Sequence, residues 1–188
     1  MNWTIPGTTL VCPKEEVSHI SQQFGSMFMG GGMILSQVTA ISGLEAHTVQ
    51  NWVRRGFLPP PIKKRYDQNQ LCRILTINAL RGVLPLEDIC KLLGYINGQL
   101  SNKADDMIDD SLLYFMFVRL AAQLRLLFPD EDRDSVIDRE LEAYSEPVPG
   151  TRQRVKTILS IMLTAYLAAR MSQQAGDMLK NIEKENLV

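Results

Sequence analysis

The chain has 188 residues, 45% of them hydrophobic, which excludes a disordered or low-complexity protein and allows one large or two small cores. A formal charge of −1 excludes a uniformly basic nucleic-acid binder. Three cysteines without close pairing, Cys12, Cys72 and Cys90, exclude a disulfide framework and fit a reducing cytoplasm.

Residues 1–11 are apolar, with Trp3 and Pro6, and show no period, so an irregular arm is expected. Pro13 suits the first position of a helix, with Glu15 and Glu16 in its first turn and Val17, Ile20, Phe24 and Met27 on one face. Gly30, Gly31 and Gly32 then form a hinge. A phosphate-cradling loop is excluded there, because neither the glycine spacing nor a following Lys-Ser or Lys-Thr pair is present. No basic segment followed by an apolar one marks a signal peptide. The longest apolar run, residues 158–169, is shorter than the ~20 residues that span a bilayer, so a soluble cytoplasmic protein is expected.

Residues 35–58 carry the pattern of a helix-turn-helix. Leu35, Val38 and Ile41 mark one apolar face, Gly43 supplies the permissive backbone of a tight turn, and Val49, Trp52 and Val53 restart the helical period. Thr48, Gln50, Asn51 and Arg54 point away from that face, where side chains meet base edges and phosphates. Gly56 stops the second helix and Pro59, Pro60 and Pro61 prevent its continuation. Lys63, Lys64, Arg65 and Tyr66 follow as a basic hairpin tip. Two amphipathic helices come next, one from about Asp67 with Leu71, Ile74, Leu75 and Leu80 inside, and one over residues 84–93 with Leu86, Ile89, Leu92 and Leu93 inside and Gly94 as its cap. Residues 34–94 hold eight Lys or Arg against four Asp or Glu, whereas residues 95–188 hold eleven against fifteen. The positive stretch attracts phosphate, and the acidic remainder is expected to be kept off a duplex or turned towards a partner.

Residues 35–93 in this order resemble the winged helix-turn-helix DNA-binding domain of the MerR family of bacterial transcription regulators. The likeness rests on the turn at Gly43, the Arg54-Arg55-Gly56-Phe57-Leu58-Pro59 exit, the Arg65-Tyr66 wing and the segment from Pro85 to Leu93. It implies a homodimer on an inverted repeat of double-stranded DNA. Where the family often has an arginine and a tyrosine, this chain has Gln50 and Asn51, so half-site preference does not carry over. Metal-sensing relatives use cysteines in their effector regions. The chain has none after Cys90, so neither metal nor cofactor is expected.

Residues 96–103 are polar and mark the expected boundary to a second unit. Asp105, Asp106, Asp109 and Asp110 read as the solvated, dipole-favoured start of a helix through Phe115, Phe117, Leu120, Leu124 and Phe128 to Pro129; a paired-carboxylate catalytic site is the sharper alternative. Residues 131–144 suggest a short acidic helix with Val136, Ile137 and Leu141 inside. A long helix follows from Thr151 to about Ala175, apolar on most sides, as the centre of a bundle or a dimer interface requires, and residues 178–188 are expected to fray. Methionines and aromatics here fill a core or line a small-molecule effector pocket.

The sequence thus predicts a mainly α protein: an arm and amphipathic helix over 1–33, a MerR-like winged helix-turn-helix over 34–94, and a helical regulatory or dimerisation unit over 105–188. The expected function is sequence-specific DNA binding in transcription control, not catalysis. Gln50 and Asn51 are placed on adenine edges, Thr48 on a thymine methyl or phosphate, and Arg54, Lys63, Lys64 and Arg65 on phosphates, with Tyr66 bracing the wing. The alternative is a protein-interaction module on the same scaffold.

Overall fold

The computed structural model describes residues 2–97, 106–123 and 133–185, and the described chain is mainly helical. Two short antiparallel strands, β1 (Asn2–Thr4) and β2 (Val11–Pro13), open it in the register Trp3 opposite Cys12. The expected irregular arm is therefore a hairpin. Pro13 precedes a 3-10 turn at Lys14–His19 instead of starting an α-helix, and α1 follows at Ile20–Met27 with Ile20 and Phe24 buried.

α2 (Leu35–Ser42) and α3 (Ala46–Arg54) are joined through Gly43, whose φ of 69° is the left-handed conformation that only glycine takes without penalty. Glu45 is the N-cap of α3. α4 (Gln68–Leu80) starts at Asp67, whose carboxylate accepts from the Gln70 backbone N–H while the Gln70 side chain accepts from the Asp67 N–H. Every residue from Gln70 to Ile77 on α4 is buried, so α4 is the central helix. α5 (Leu86–Asn97) runs through Gly94, which is not a cap. A mid-helix glycine costs about 1 kcal/mol, while burying Ile96 gains about 1.5–3 kcal/mol, so the helix continues. The polar boundary therefore does not begin at Ile96; residues 98–103 lie outside the described residues.

α6 (Asp110–Gln123), α7 (Arg133–Glu140) and α8 (Thr151–Glu185) complete the chain. The expectations at Asp105, Leu124, Phe128, Pro129 and Glu131 fall outside the described residues. Asp110 is not a solvated helix start: it packs against α4 and pairs with Arg73. The first turn of α6 is capped from α4, where Asn69 Oδ1 accepts from the Ser111 N–H at 3.0 Å. α4, α6 and α8 share one core that includes Phe24, Tyr114 and Phe115; Phe24 meets Phe115 edge to face, and Tyr114 is tilted against both. α8 does not end near Ala175 but stays helical through Glu185. Among the described residues, no helix is long and apolar enough to cross a membrane.

The N-terminal residues 3–9 form a strap across this core. Trp3 Nε1 donates to the Tyr166 hydroxyl of α8 at 3.3 Å, and the Tyr114 hydroxyl of α6 donates to the Pro6 carbonyl at 2.9 Å. Asn78 Nδ2 of α4 bridges the Gly7 and Ser42 carbonyls at 2.9 and 2.8 Å, and Thr9 donates through N–H and hydroxyl to the last carbonyls of α2. Gly7 is required here, because a Cβ at its φ of 75° would lie 2.1 Å from the Leu75 carbonyl oxygen.

Candidate nucleic-acid interface

α3 is amphipathic by construction. Val49 and Trp52 are buried against the core, and at about 100° per residue His47, Gln50, Asn51 and Arg54 fall on one outward stripe. His47, Gln50 and Arg54 are exposed, while Thr48 and Asn51 are half-buried at its flank. Arg54 Nη2 donates to Asn51 Oδ1 at 2.7 Å, which engages the acceptor half of the Asn51 amide and aims the guanidinium outward. Sequence reasoning did not single out His47, although it lies three and four positions before Gln50 and Asn51 and so shares their face.

The basic segment after the prolines folds as a two-residue hairpin. Ile62 and Arg65 exchange both backbone hydrogen bonds, at 3.0 and 2.9 Å, and Lys63 and Lys64 at the tip have φ of 49° and 62°, the pattern of a type I′ turn without its usual Asn or Gly. Arg65 Nη1 donates to the Gly32 carbonyl at 2.8 Å. Tyr66 exchanges backbone hydrogen bonds with Met33 and is itself buried, so it supports the hairpin from beneath; the same burial pushes its hydroxyl pKa up.

Of the predicted set, Gln50, Lys64 and Tyr66 come together around one groove of about 590 Å³ between α2, α3 and the hairpin, with Ser36 from the first turn of α2 on its rim and Leu35, Val53 and Pro61 on its apolar walls. Thr48 lies on the other flank of α3. Ser36 is a second residue that sequence reasoning missed, since nothing local distinguishes it from any polar residue on a short helix.

The local charge sorts itself in the fold. Arg55 pairs with Glu87 and stacks over Phe57 at 4.5 Å, Lys91 pairs with Asp88, and Arg73 is buried with Asp110. Among the described residues, Arg54, Lys63, Lys64 and Arg65 are matched to no carboxylate, nor is Arg81 at the end of α4, which lies 6.0 Å over the Trp52 ring, so four of the five unmatched cations of this stretch lie on α3 and the hairpin. The Arg55 contact also lowers the Glu87 pKa, after the larger effect of its backbone hydrogen bond.

Residues 32–117 match a protein family described as a domain of unknown function (DUF1836), a stretch that takes in α2 through the first half of α6 and leaves out the strap, α7 and α8. No curated protein and no solved structure gives a significant match to the chain.

Proposed function

We propose that the protein is a sequence-specific DNA-binding transcription regulator, built on a MerR-like winged helix-turn-helix and acting as a homodimer on an inverted repeat. The observation that carries this reading is the α3 stripe of His47, Gln50, Asn51 and Arg54, set beside a hairpin whose cations have no acidic partner among the described residues. In this mechanism α3 enters the major groove. Gln50 presents a donor and an acceptor to an adenine edge, Asn51 does the same once Arg54 swings to a phosphate, and Thr48 touches a thymine methyl or phosphate at the groove wall. Arg54, Lys63, Lys64 and Arg65 neutralise phosphates and release counterions, which supplies the sequence-independent part of the affinity.

One such head reads a short half-site, so useful affinity needs two. A pairing surface is at hand in α8, which at 35 residues is about 52 Å long and leaves the core after Tyr166. Its exposed residues Ala168, Met171, Ala175 and Met178 follow the 3-4-3 spacing of a coiled-coil seam, with small and large side chains alternating.

Binding of Arg54→Ala and Arg65→Ala variants to genomic fragments at two salt concentrations tests this reading. The expected result is weaker binding with a shallower salt dependence, by about one unit of slope for each phosphate that is no longer neutralised. Unchanged affinity removes these residues from a DNA interface. A second reading, a protein-interaction module, is favoured by the apolar walls of the groove between α3 and the hairpin. It predicts no salt-sensitive shift of pooled genomic DNA by the parent protein and recovery of a partner through that groove.

A further inference from the structure

The groove between α2, α3 and the hairpin has two kinds of wall. Leu35, Val53 and Pro61 are half-buried and apolar. The polar part of the lining, Ser36, Gln50, Lys64 and Tyr66, holds several donors and one cation, and no carboxylate faces them. Its volume of about 590 Å³ lies within the roughly 300–1,000 Å³ of small-molecule sites, which are mostly apolar with a few placed polar groups. Tyr66 adds an observation independent of that shape. The residue is 3% exposed, yet its hydroxyl has no hydrogen-bond partner among the described residues, although a buried phenol ordinarily finds one. No fully enclosed side-chain polar atom among those residues is left unpartnered, so this hydroxyl opens onto the cavity space that Tyr66 lines, most of which is the groove. Burial raises its pKa, which keeps it protonated and a donor.

These walls select their occupant by charge and by shape together. An inorganic anion uses Lys64 and the hydroxyl but leaves the apolar side in water, and a neutral hydrocarbon does the reverse. An anion carried on an apolar body uses both. Gln50 and Lys64, moreover, belong at once to this lining and to the surface offered to DNA. We propose that the groove binds a small organic acid, and that this acid and DNA exclude each other. The carboxylate is held by Lys64 and the Tyr66 hydroxyl, and the apolar body lies against Leu35, Val53 and Pro61, beneath Gln50. The ligand site stands by itself; the exclusion rests on the DNA-binding function above and makes the acid a signal that releases the protein from its site. By linkage, bound DNA weakens the acid by the same factor.

The probes are naphthaleneacetate and its uncharged amide, naphthaleneacetamide, titrated into the isotope-labelled full chain and followed by amide NMR. The acid is expected to move the Ser36, Gln50 and Val53 signals and to bind about tenfold more tightly than the amide. Two variants keep the fold, as thermal melting checks. Lys64→Asn removes the cation but suits the left-handed backbone, and Tyr66→Phe removes an oxygen that bonds no other described residue. Lys64→Asn should abolish the preference for the acid, and Tyr66→Phe should weaken the acid about fivefold. A saturating concentration of the acid should then weaken a duplex selected from a randomised pool by about tenfold, whereas acetate at the same concentration, which has the charge without the body, should leave it bound. A parent that binds neither probe, or both alike, overturns the site. So do signal changes confined to other parts of the chain, and variants that bind the acid as the parent does. An acid that fills the groove without weakening the duplex, or no more than acetate does, overturns the exclusion and leaves DNA recognition by α3 standing. A parent that selects no duplex overturns the DNA-binding function and the exclusion with it, and the titrations alone then decide the site.

Discussion

Replacing Arg73 by methionine leaves the Asp110 carboxylate on the inner side of α6 without its counter-ion. The two side chains are 4% and 17% exposed, and their charged atoms lie 3.2 Å apart. At that distance their attraction is about 5 kcal/mol for an effective dielectric near 20. Burial nevertheless holds the Asp110 carboxyl above its ordinary range, because desolvation outweighs the pull of the Arg73 guanidinium and the hydrogen bond from Asn97. The pair is therefore costly to break on one side and cheap to replace as a whole. Arg73→Met alone, or Asp110→Leu alone, is expected to lower the unfolding free energy by about 3–5 kcal/mol, and the two together by much less than the sum. The pH dependence has a definite sign. A carboxyl whose folded pKa is raised contributes stability that is fully present below the unfolded carboxylate range and is lost as the pH rises through the raised folded value. Asp110→Leu should remove that component from a plot of stability against pH. Urea denaturation across that range measures all of this. Single substitutions that cost under about 1 kcal/mol, or a double variant that costs the sum of the singles, would refute the reasoning.

Three further outcomes are expected. Gly7→Ala drives a Cβ into the Leu75 carbonyl at positive φ and should cost about 3 kcal/mol or more, read as a fall in melting temperature on the order of 10 °C; an unchanged melt would mean that the strap is not held as described. Lys64→Gly separates stability from binding: relief of the left-handed backbone should stabilise the fold by about 1 kcal/mol, while DNA affinity falls by a similar factor on all sequences. Met171→Glu combined with Met178→Glu should convert a dimer to a monomer in sedimentation equilibrium with the melting of the core unchanged, since both side chains are exposed; a persisting dimer would move the pairing surface elsewhere.

Legibility in the sequence followed the range of the interactions. Gly43, the buried period of Val38, Val49 and Trp52, and the stop at the prolines are settled within a few residues of one another, and α2 and α3 appear where that local chemistry puts them. Basic composition marked the hairpin, although Lys63 and Lys64 are not the residues that such a turn prefers. Asp110 was misread because its partner Arg73 lies 37 positions away, and an acid at a helix start looks the same in sequence whether solvated or buried. Gly94 was misread because the helix beyond it is held by the core contacts of Ile96 and Asn97, not by anything preceding it. The strap was not legible at all: its hydrogen bonds run to α2, α4, α6 and α8, and no periodicity announces them.

The strap also sets an order of events during synthesis. Trp3 reaches its partner Tyr166 across 163 positions. At about 5–20 residues added per second, roughly 10–30 s pass between the emergence of the two. Throughout that interval residues 3–9 lack their contact with α8, while the bonds that tie them to α2 and α4 through Thr9 and Asn78 join residues already synthesised. The Trp3–Tyr166 bond is therefore the last part of the strap to form, after the turn between α2 and α3 has its anchor.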